Sequence, residues 1–269
     1  MSHHPDSPYK AEPGAPFTLA DRPTQVDAYD GKKAAKAAAK DDAKAVAALA
    51  HKLYGEADRK LLLLLQGMDT SGKDGTTKAV FAYTPPLNVR VKAFKAPSKD
   101  ELAHDYLWRV HKAVPRRGEI VVFNRSHYED VLVVKVKEFV GPDVIEQRYA
   151  QINDFERLLS ETGTTVLKCM LHISPEVQGE RLRARLEDPD KRWKFNPGDL
   201  DDRALWPDFM AAYETMVRRT STRHAPWYVI PSDDKKTRNA IIADLVRRTL
   251  EAMDPAYPDP GYRPDQFTI

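Results

Sequence analysis

The chain has 269 residues, with 42 Lys and Arg against 40 Asp and Glu and a formal net charge of +2. That balance excludes binding to nucleic acid or an anionic membrane through bulk charge, so any basic function must be local. An apolar content of 42% is enough for a sizeable core, and the single cysteine, Cys169, forms no disulfide within the chain, which points to the cytoplasm.

Residues 1–30 are rich in Pro, Asp and Ser and are expected to form an extended N-terminal arm. No run approaches the ~20 apolar residues of a membrane span. From 32 to 56 the chain is rich in Ala and Lys and lacks proline, which predicts a long helix with Gly55 near a left-handed C-terminal cap. Strand candidates follow at 61–66, 89–94, 119–124, 166–173 and 227–231, each a short apolar run. Helical patterns lie at about 73–83, 99–113, 126–138, 143–161, 175–187, 203–219 and 234–252. The alternation predicts an α/β fold with a central parallel sheet covered by helices, one domain over 31–253. The tail 254–269 carries four prolines and is expected to wrap over the surface.

After the strand LLLLLQ comes Gly67, Met68, Asp69, Thr70, Ser71, Gly72 and Lys73, then Asp74, Gly75 and Thr76. This is P-loop spacing between a hydrophobic strand and a helix. Such a loop aims backbone N–H groups and a helix N-terminus at a polyphosphate, while the lysine reaches a phosphate oxygen. Asp74 stands where most P-loops carry a hydroxyl for Mg²⁺. Asp69, a carboxylate inside the loop, is therefore the candidate for the metal side, or else a turn residue bonding its own backbone.

The strand at 119–124 ends in Asn124, where P-loop enzymes usually place an acid. Arg125 then points over the carboxyl edge of the sheet, where ligands of open α/β folds collect. Ser126 with Glu129 fits a capping box for the next helix, which leaves Glu129 divided between capping and a ligand-facing role.

The segment 181–199 carries Arg181, Arg183, Arg185, Lys191, Arg192 and Lys194. Arg181 and Arg185 share a helical face, and after Asp188-Pro189 the chain must change course, as a cationic flap would. A further basic cluster holds Arg109, Lys112, Arg116 and Arg117. None of the eight histidines forms a zinc pattern, and no N-K-x-D guanine-reading motif occurs.

GMDTSGKDGT, PSKDELAHDYLWRVHKAVPRRGEIVVFNRSHYEDVLV, LHISPEVQGERLRARLEDPDKRWKFNPGDLDDR and STRHAPWYVIPSDDKKTRNAII together resemble the second family of polyphosphate kinases over about residues 30–250. The FNRSHYEDVLV form is similar to the class III branch; other branches typically carry Asp in place of Asn124 and Asn in place of Glu129. The resemblance implies a thymidylate-kinase-like P-loop fold, three layers α/β/α, with a helical lid over about 181–222. It also implies Mg²⁺-dependent phosphoryl transfer between inorganic polyphosphate and AMP, ADP or ATP, with GMP and GDP as further acceptors.

By matched position, Asp69 would handle metal, Lys73 and Arg125 the phosphates, and Arg181, Arg185, Lys191, Arg192 and Lys194 the polyphosphate. Arg109, Arg116, Arg117, Asn124 and Glu129 are the nucleotide-side candidates. Family analogy adds a dimer or tetramer. No nucleic acid or membrane partner is expected, and the alternative on the same scaffold is an ATP-dependent nucleoside monophosphate kinase.

Overall fold

A computed structural model describes residues 3–267, so residues 1–2 of the arm and 268–269 of the tail lie outside it. In chain order the elements are β1 (Lys10–Ala11), α1 (Gly31–Glu56), β2 (Lys60–Gln66), α2 (Lys73–Val80), β3 (Val89–Ala93), α3 (Lys99–Leu102) and α4 (Trp108–His111). They continue with β4 (Ile120–Asn124), α5 (Val133–Val136), α6 (Pro142–Glu161), β5 (Thr164–His172), α7 (Pro175–Glu187), α8 (Gly198–Ala204), α9 (Trp206–Thr220), β6 (Trp227–Pro231) and α10 (Lys235–Met253).

The sheet order is β1-β6-β5-β2-β4-β3, parallel throughout except for β1, which pairs antiparallel with β6. The five leucines of β2 follow from its central place. Successive strand side chains point to opposite faces, and helices cover both. Leu62 and Leu64 join one core with Phe123, Met170, Ile152 of α6 and Met216 of α9. Leu61, Leu63 and Leu65 join the other with Val122, Leu167, Leu53 of α1 and Val246 of α10. The result is three layers, α/β/α, with the order reversing beside β2; ligands of open α/β sheets settle at such a switch point.

Helix α1 buries Ala35, Ala39, Ala43, Val46, Ala50 and Leu53, a stripe of three- and four-residue spacings. Its small side chains let it lie close on α10, where Ala240 meets Ala35 and Ala39. The lysines remain on the solvent side. Among the described residues no helix is long and apolar enough to cross a membrane.

Local chemistry corrects several boundaries. The left-handed cap of α1 is Ala57, at φ 52°, not Gly55. Gly55 instead leaves room for Tyr257 of the tail, whose Cδ1 would lie 3.0 Å from a Cβ there. The helix expected over 99–113 breaks into α3 and α4. Ser98 and Glu101 form a capping box that starts the first piece, and Asp105 Oδ1 accepts from the Leu107 N–H to begin a new turn.

The helix expected over 126–138 becomes a 3₁₀ turn at His127–Val131 followed by α5, divided by Leu132 at φ −108°, ψ −84°. Ser126 does cap, accepting from the Tyr128 N–H at 3.2 Å. The capping box does not form there, because Glu129 turns to Gln66 and Arg125. The helix expected from 203 starts at Gly198 and is interrupted at Leu205, where Trp206-Pro207 begins α9. Strand β1 went unforeseen within the arm, since two residues carry no periodicity.

A polar cluster in the core anchors the segment after Arg125. Lys168 Nζ donates to Glu156 Oε2 at 2.6 Å, to the Tyr128 hydroxyl at 2.8 Å and to the Thr220 carbonyl at 2.7 Å. Tyr128 donates to Glu156 Oε1 at 2.7 Å, and His127 Nε2 lies 3.3 Å from the same oxygen. All of these side chains are buried, and burial holds Lys168 below the ordinary lysine range despite its carboxylate partner. The cluster joins β5, α6 and the C-terminal end of α9 to the turn beside the cleft.

Candidate active site

The glycine loop leaves the carboxyl end of β2 and must turn sharply into α2. Gly67 and Gly72 adopt φ of 153° and 110°. A Cβ on Gly67 would lie 2.7 Å from the Leu171 carbonyl oxygen, and one on Gly72 only 1.9 Å from Arg238 Nη1. Neither position tolerates a side chain. The turn leaves the first-turn N–H groups and the positive end of α2 at the cleft floor.

Lys73 Nζ folds back over the loop, donating to the Gly67 carbonyl at 2.7 Å and the Met68 carbonyl at 3.2 Å. Burial lowers its pKa to about 8, against the upward pull of Asp69. Among the described residues Thr70 Oγ1 and Ser71 Oγ, buried in the loop, have no hydrogen-bond partners, which leaves polar capacity for a ligand.

Two arginines brace this loop. Arg181 donates through Nη1 to the Thr70 and Ser71 carbonyls, at 3.0 and 3.2 Å, and through Nη2 to the Ser232 and Asp233 carbonyls, at 2.8 and 2.7 Å. Arg238, only 2% exposed, donates from Nη1 to the Ser71 carbonyl at 2.8 Å. Burial and the neighbouring Arg181 pull its pKa down to about 9. With the carbonyls tied back, the loop's N–H face is left to the cleft.

Opposite the loop, Arg125 sits at φ 61° just beyond β4, where its N–H donates to the Leu65 carbonyl of β2 at 3.1 Å. Its Nη2 pairs with Asp69, and its Nη1 lies 3.5 Å from Glu129 Oε2. Gln66 donates to Glu129 and accepts from the Ser126 hydroxyl at 3.3 Å. Burial opposes the charge on Arg125, but Glu129 and Asp69 outweigh it and keep the guanidinium protonated. Burial likewise would raise Asp69; Lys73 and Arg125 prevail and hold its carboxyl below the usual range. Asn124 donates its amide to Asp74 Oδ1.

From α8, Asp199 enters the site with Arg185 Nη1 3.3 Å from its Oδ2. Burial and the facing Asp69 push Asp199 up to about 6. Nothing in the local sequence foretold that meeting, since 130 residues separate the two aspartates (199 − 69).

Loop and helices together bound a cleft of about 550 Å³. Eight cations line it (Lys73, Arg125, Arg181, Arg185, Lys191, Lys194, Lys235 and Arg238), against the two carboxylates Asp69 and Asp74. Such an excess suits a chain of phosphates better than one compact anion. Sequence reading missed Lys235 and Arg238. Their signal was the start of a helix directly after the last strand, with Asp234 capping it through the Lys236 and Thr237 N–H groups, both at 2.8 Å.

The other candidates lie elsewhere. Arg192 donates from Nε to the Leu186 carbonyl at 2.7 Å and is absent from the cleft wall. Arg109 donates to the Lys95 carbonyl at 2.8 Å and borders a separate cavity of about 360 Å³ with Tyr106, Asp130 and Arg148. Arg116 and Arg117 precede the first residue of β4, at the amino edge of the sheet. The structure therefore does not bring these two to the cleft, which opens at the carboxyl edge.

Among the described residues no group of three or more His, Cys, Asp or Glu converges as a metal cage. The oxygen donors of Asp69, Asp74 and Asn124 at the cleft, with the unpartnered hydroxyls of Thr70 and Ser71, fit a hard cation that shares its shell with phosphate and water.

With this geometry in view, the profile of the polyphosphate kinase 2 family matches residues 29–258. The chain belongs to that family. An AMP/ADP-polyphosphate phosphotransferase of Meiothermus ruber is 47% identical over 263 residues, 97% of this chain and 98% of that protein. An ADP-polyphosphate phosphotransferase of Rhodopseudomonas palustris is 36% identical, covering 93% of this chain and 91% of its own length. The crystal structure of polyphosphate kinase 2 from Arthrobacter aurescens TC1 superposes with a TM-score of 0.92 at 40% identity, over 96% of this chain and 93% of that one. Membership of the polyphosphate kinase 2 family carries the P-loop kinase-like fold and makes the chain a phosphate-transferring enzyme.

Proposed function

We propose that this protein moves the terminal phosphate between inorganic polyphosphate and AMP or ADP, with GMP and GDP as further acceptors, in the cytoplasm and with Mg²⁺. The observation that carries the reading is the cleft at the glycine loop, where eight cations line the wall with the carboxylates Asp69 and Asp74, and Asp199 faces Asp69. In-line exchange between phosphate oxygens needs alignment and neutralised charge, not a general base. Mg²⁺, held from the side of Asp69, would supply neutralisation of the phosphates' negative charge.

Lys73 and Arg125 are assigned to the phosphates at the point of transfer, and Asp69 to the metal side. Arg185, Lys191 and Lys194 line the path of the polyphosphate, while Arg181 and Arg238 shape the loop. Glu129, fixed between Gln66 and Arg125, is assigned to the acceptor side. The segment 181–222 acts as a lid whose cations exclude water when closed.

The test is conversion of ADP to ATP with Mg²⁺ and polyphosphate, run beside ATP with AMP in the absence of polyphosphate. Rapid ATP formation from polyphosphate is expected. Transfer seen only from ATP would favour an ordinary monophosphate kinase.

A further inference from the structure

P-loop enzymes ordinarily hold their metal between a hydroxyl on the residue after the loop lysine and an acid ending a neighbouring strand. In this chain both positions depart, and in opposite senses. The residue after Lys73 is Asp74, and β4 ends in Asn124. The two altered side chains touch, the Asn124 amide donating to Asp74 Oδ1.

We propose that Asp74 supplies the metal-facing carboxylate that β4 lacks, so that one negative charge has moved from the end of the sheet to the start of α2. The inference rests on the phosphate-and-Mg²⁺ reading of the cleft.

Three observations carry it. Asp74 is exposed and lines the same cleft as Lys73, Asn124 and Asp69. Among the described residues its carboxylate forms no ion pair and meets only the neutral Asn124 amide, whereas Asp69 is already paired with Arg125. A carboxylate left without a cation beside bound phosphate is repelled unless a cation comes between them. The exchange also conserves the sum, since one hydroxyl and one acid become one acid and one amide. Asn124 keeps a carbonyl oxygen that can hold a metal-bound water. The competing explanation is helix capping by charge, because an acidic side chain in the first turn of α2 is favoured by the dipole alone.

Binding of Mn²⁺ in the presence of ADP separates the two. Water-proton relaxation enhancement on the full-length protein reads the affinity of the ternary complex, with no polyphosphate and no turnover involved. The wild type is compared with Asp74→Asn and with the exchanged pair Asp74→Ser/Asn124→Asp. Asp74→Asn should weaken Mn²⁺ binding about 10- to 100-fold, the range for losing a metal-site partner, and the exchanged pair should return it close to wild type. Circular dichroism and ADP-induced thermal stabilisation in EDTA show whether each variant is folded and still binds nucleotide.

Unchanged Mn²⁺ affinity in Asp74→Asn, even with altered stability, would overturn the inference in favour of the helix dipole. So would a folded exchanged pair that binds Mn²⁺ no better than Asp74→Asn. Should Asp74→Asn fail to fold, the exchanged pair decides alone, wild-type affinity upholding the proposal and weak affinity ending it. Failure of the polyphosphate reading itself would show separately, as a wild-type enzyme that makes no ATP from ADP and polyphosphate.

Discussion

Replacing Lys73 with methionine separates what this side chain does for transfer from what it costs the fold. Its pKa falls from the lysine reference of 10.5 to about 8 in the native state. The folded protein therefore disfavours the charged form relative to the unfolded chain, by about 3 kcal/mol from 2.5 pKa steps at 1.36 kcal/mol each. Below pH 8 both states carry the proton and the full penalty stands. Between pH 8 and 10.5 the unfolded chain holds more protons than the folded one, so wild-type stability rises with pH on this account.

The methionine of the variant has no such charge, although it also leaves the Gly67 and Met68 carbonyls without their donor, at about 1 kcal/mol each. The two effects nearly offset at pH 7, where Lys73→Met should alter stability by no more than about 2 kcal/mol. By pH 10 the wild type should have gained up to about 3 kcal/mol relative to the variant. Transfer should meanwhile fall about 10²- to 10⁴-fold, from the loss of two charge-assisted phosphate contacts at about 1.5–3 kcal/mol each. Urea unfolding of the ligand-free protein at pH 7, 8, 9 and 10 measures the first effect, and ATP formation from ADP and polyphosphate the second. A stability difference flat across that pH range would refute the claim that Lys73 is held desolvated, and a variant keeping a tenth of wild-type turnover would refute its place at the phosphates.

Neutralising Arg185 and Lys194 together should raise half-saturating polyphosphate at least about tenfold, two lost charge contacts being worth more than 1.4 kcal/mol, with little change for ADP; steady-state titration of each substrate reads the contrast. Arg181→Met should instead depress kcat with both substrates, because its four carbonyl partners belong to the loop and its support. Glu156→Gln should destabilise the fold by about 3–5 kcal/mol, as expected when one member of a buried pair is removed, and Lys168→Met/Glu156→Leu should recover much of it by urea titration. Gly72→Ala should abolish transfer, since φ 110° and the Arg238 guanidinium both exclude the methyl group; adding Arg238→Ala would remove the clash but not the backbone strain, so the double variant should stay inactive.

Much of this molecule was legible because its signals are local. Leucines 61–65 mark a strand covered on both faces, and Gly67 to Lys73 fixes a turn that few other sequences satisfy. What escaped reading were partnerships across the fold. Ser126 and Glu129 have capping-box spacing, yet Gln66, brought alongside by the β2–β4 pairing, offers Glu129 a better partner. Arg181 reads as one more polyphosphate-facing cation of the flap, but the loop carbonyls claim it. Asp199 stands in an ordinary acidic helix start, and only the path through α7 and α8 sets it against Asp69. Arg116 and Arg117 show the converse, since a basic pair in sequence says nothing of which edge of the sheet it occupies.

Cys169 lies in β5 between Leu65 and Tyr228, with no exposed surface, and burial pushes its thiol far above the usual range. Labelling chemistry thus starts from a silent background. A cysteine introduced in the turn that follows α7, for instance Trp193→Cys at a site 78% exposed, would be the sole reactive thiol of the folded protein. A fluorophore there would test whether the proposed lid moves when polyphosphate is added, without removal of the native residue.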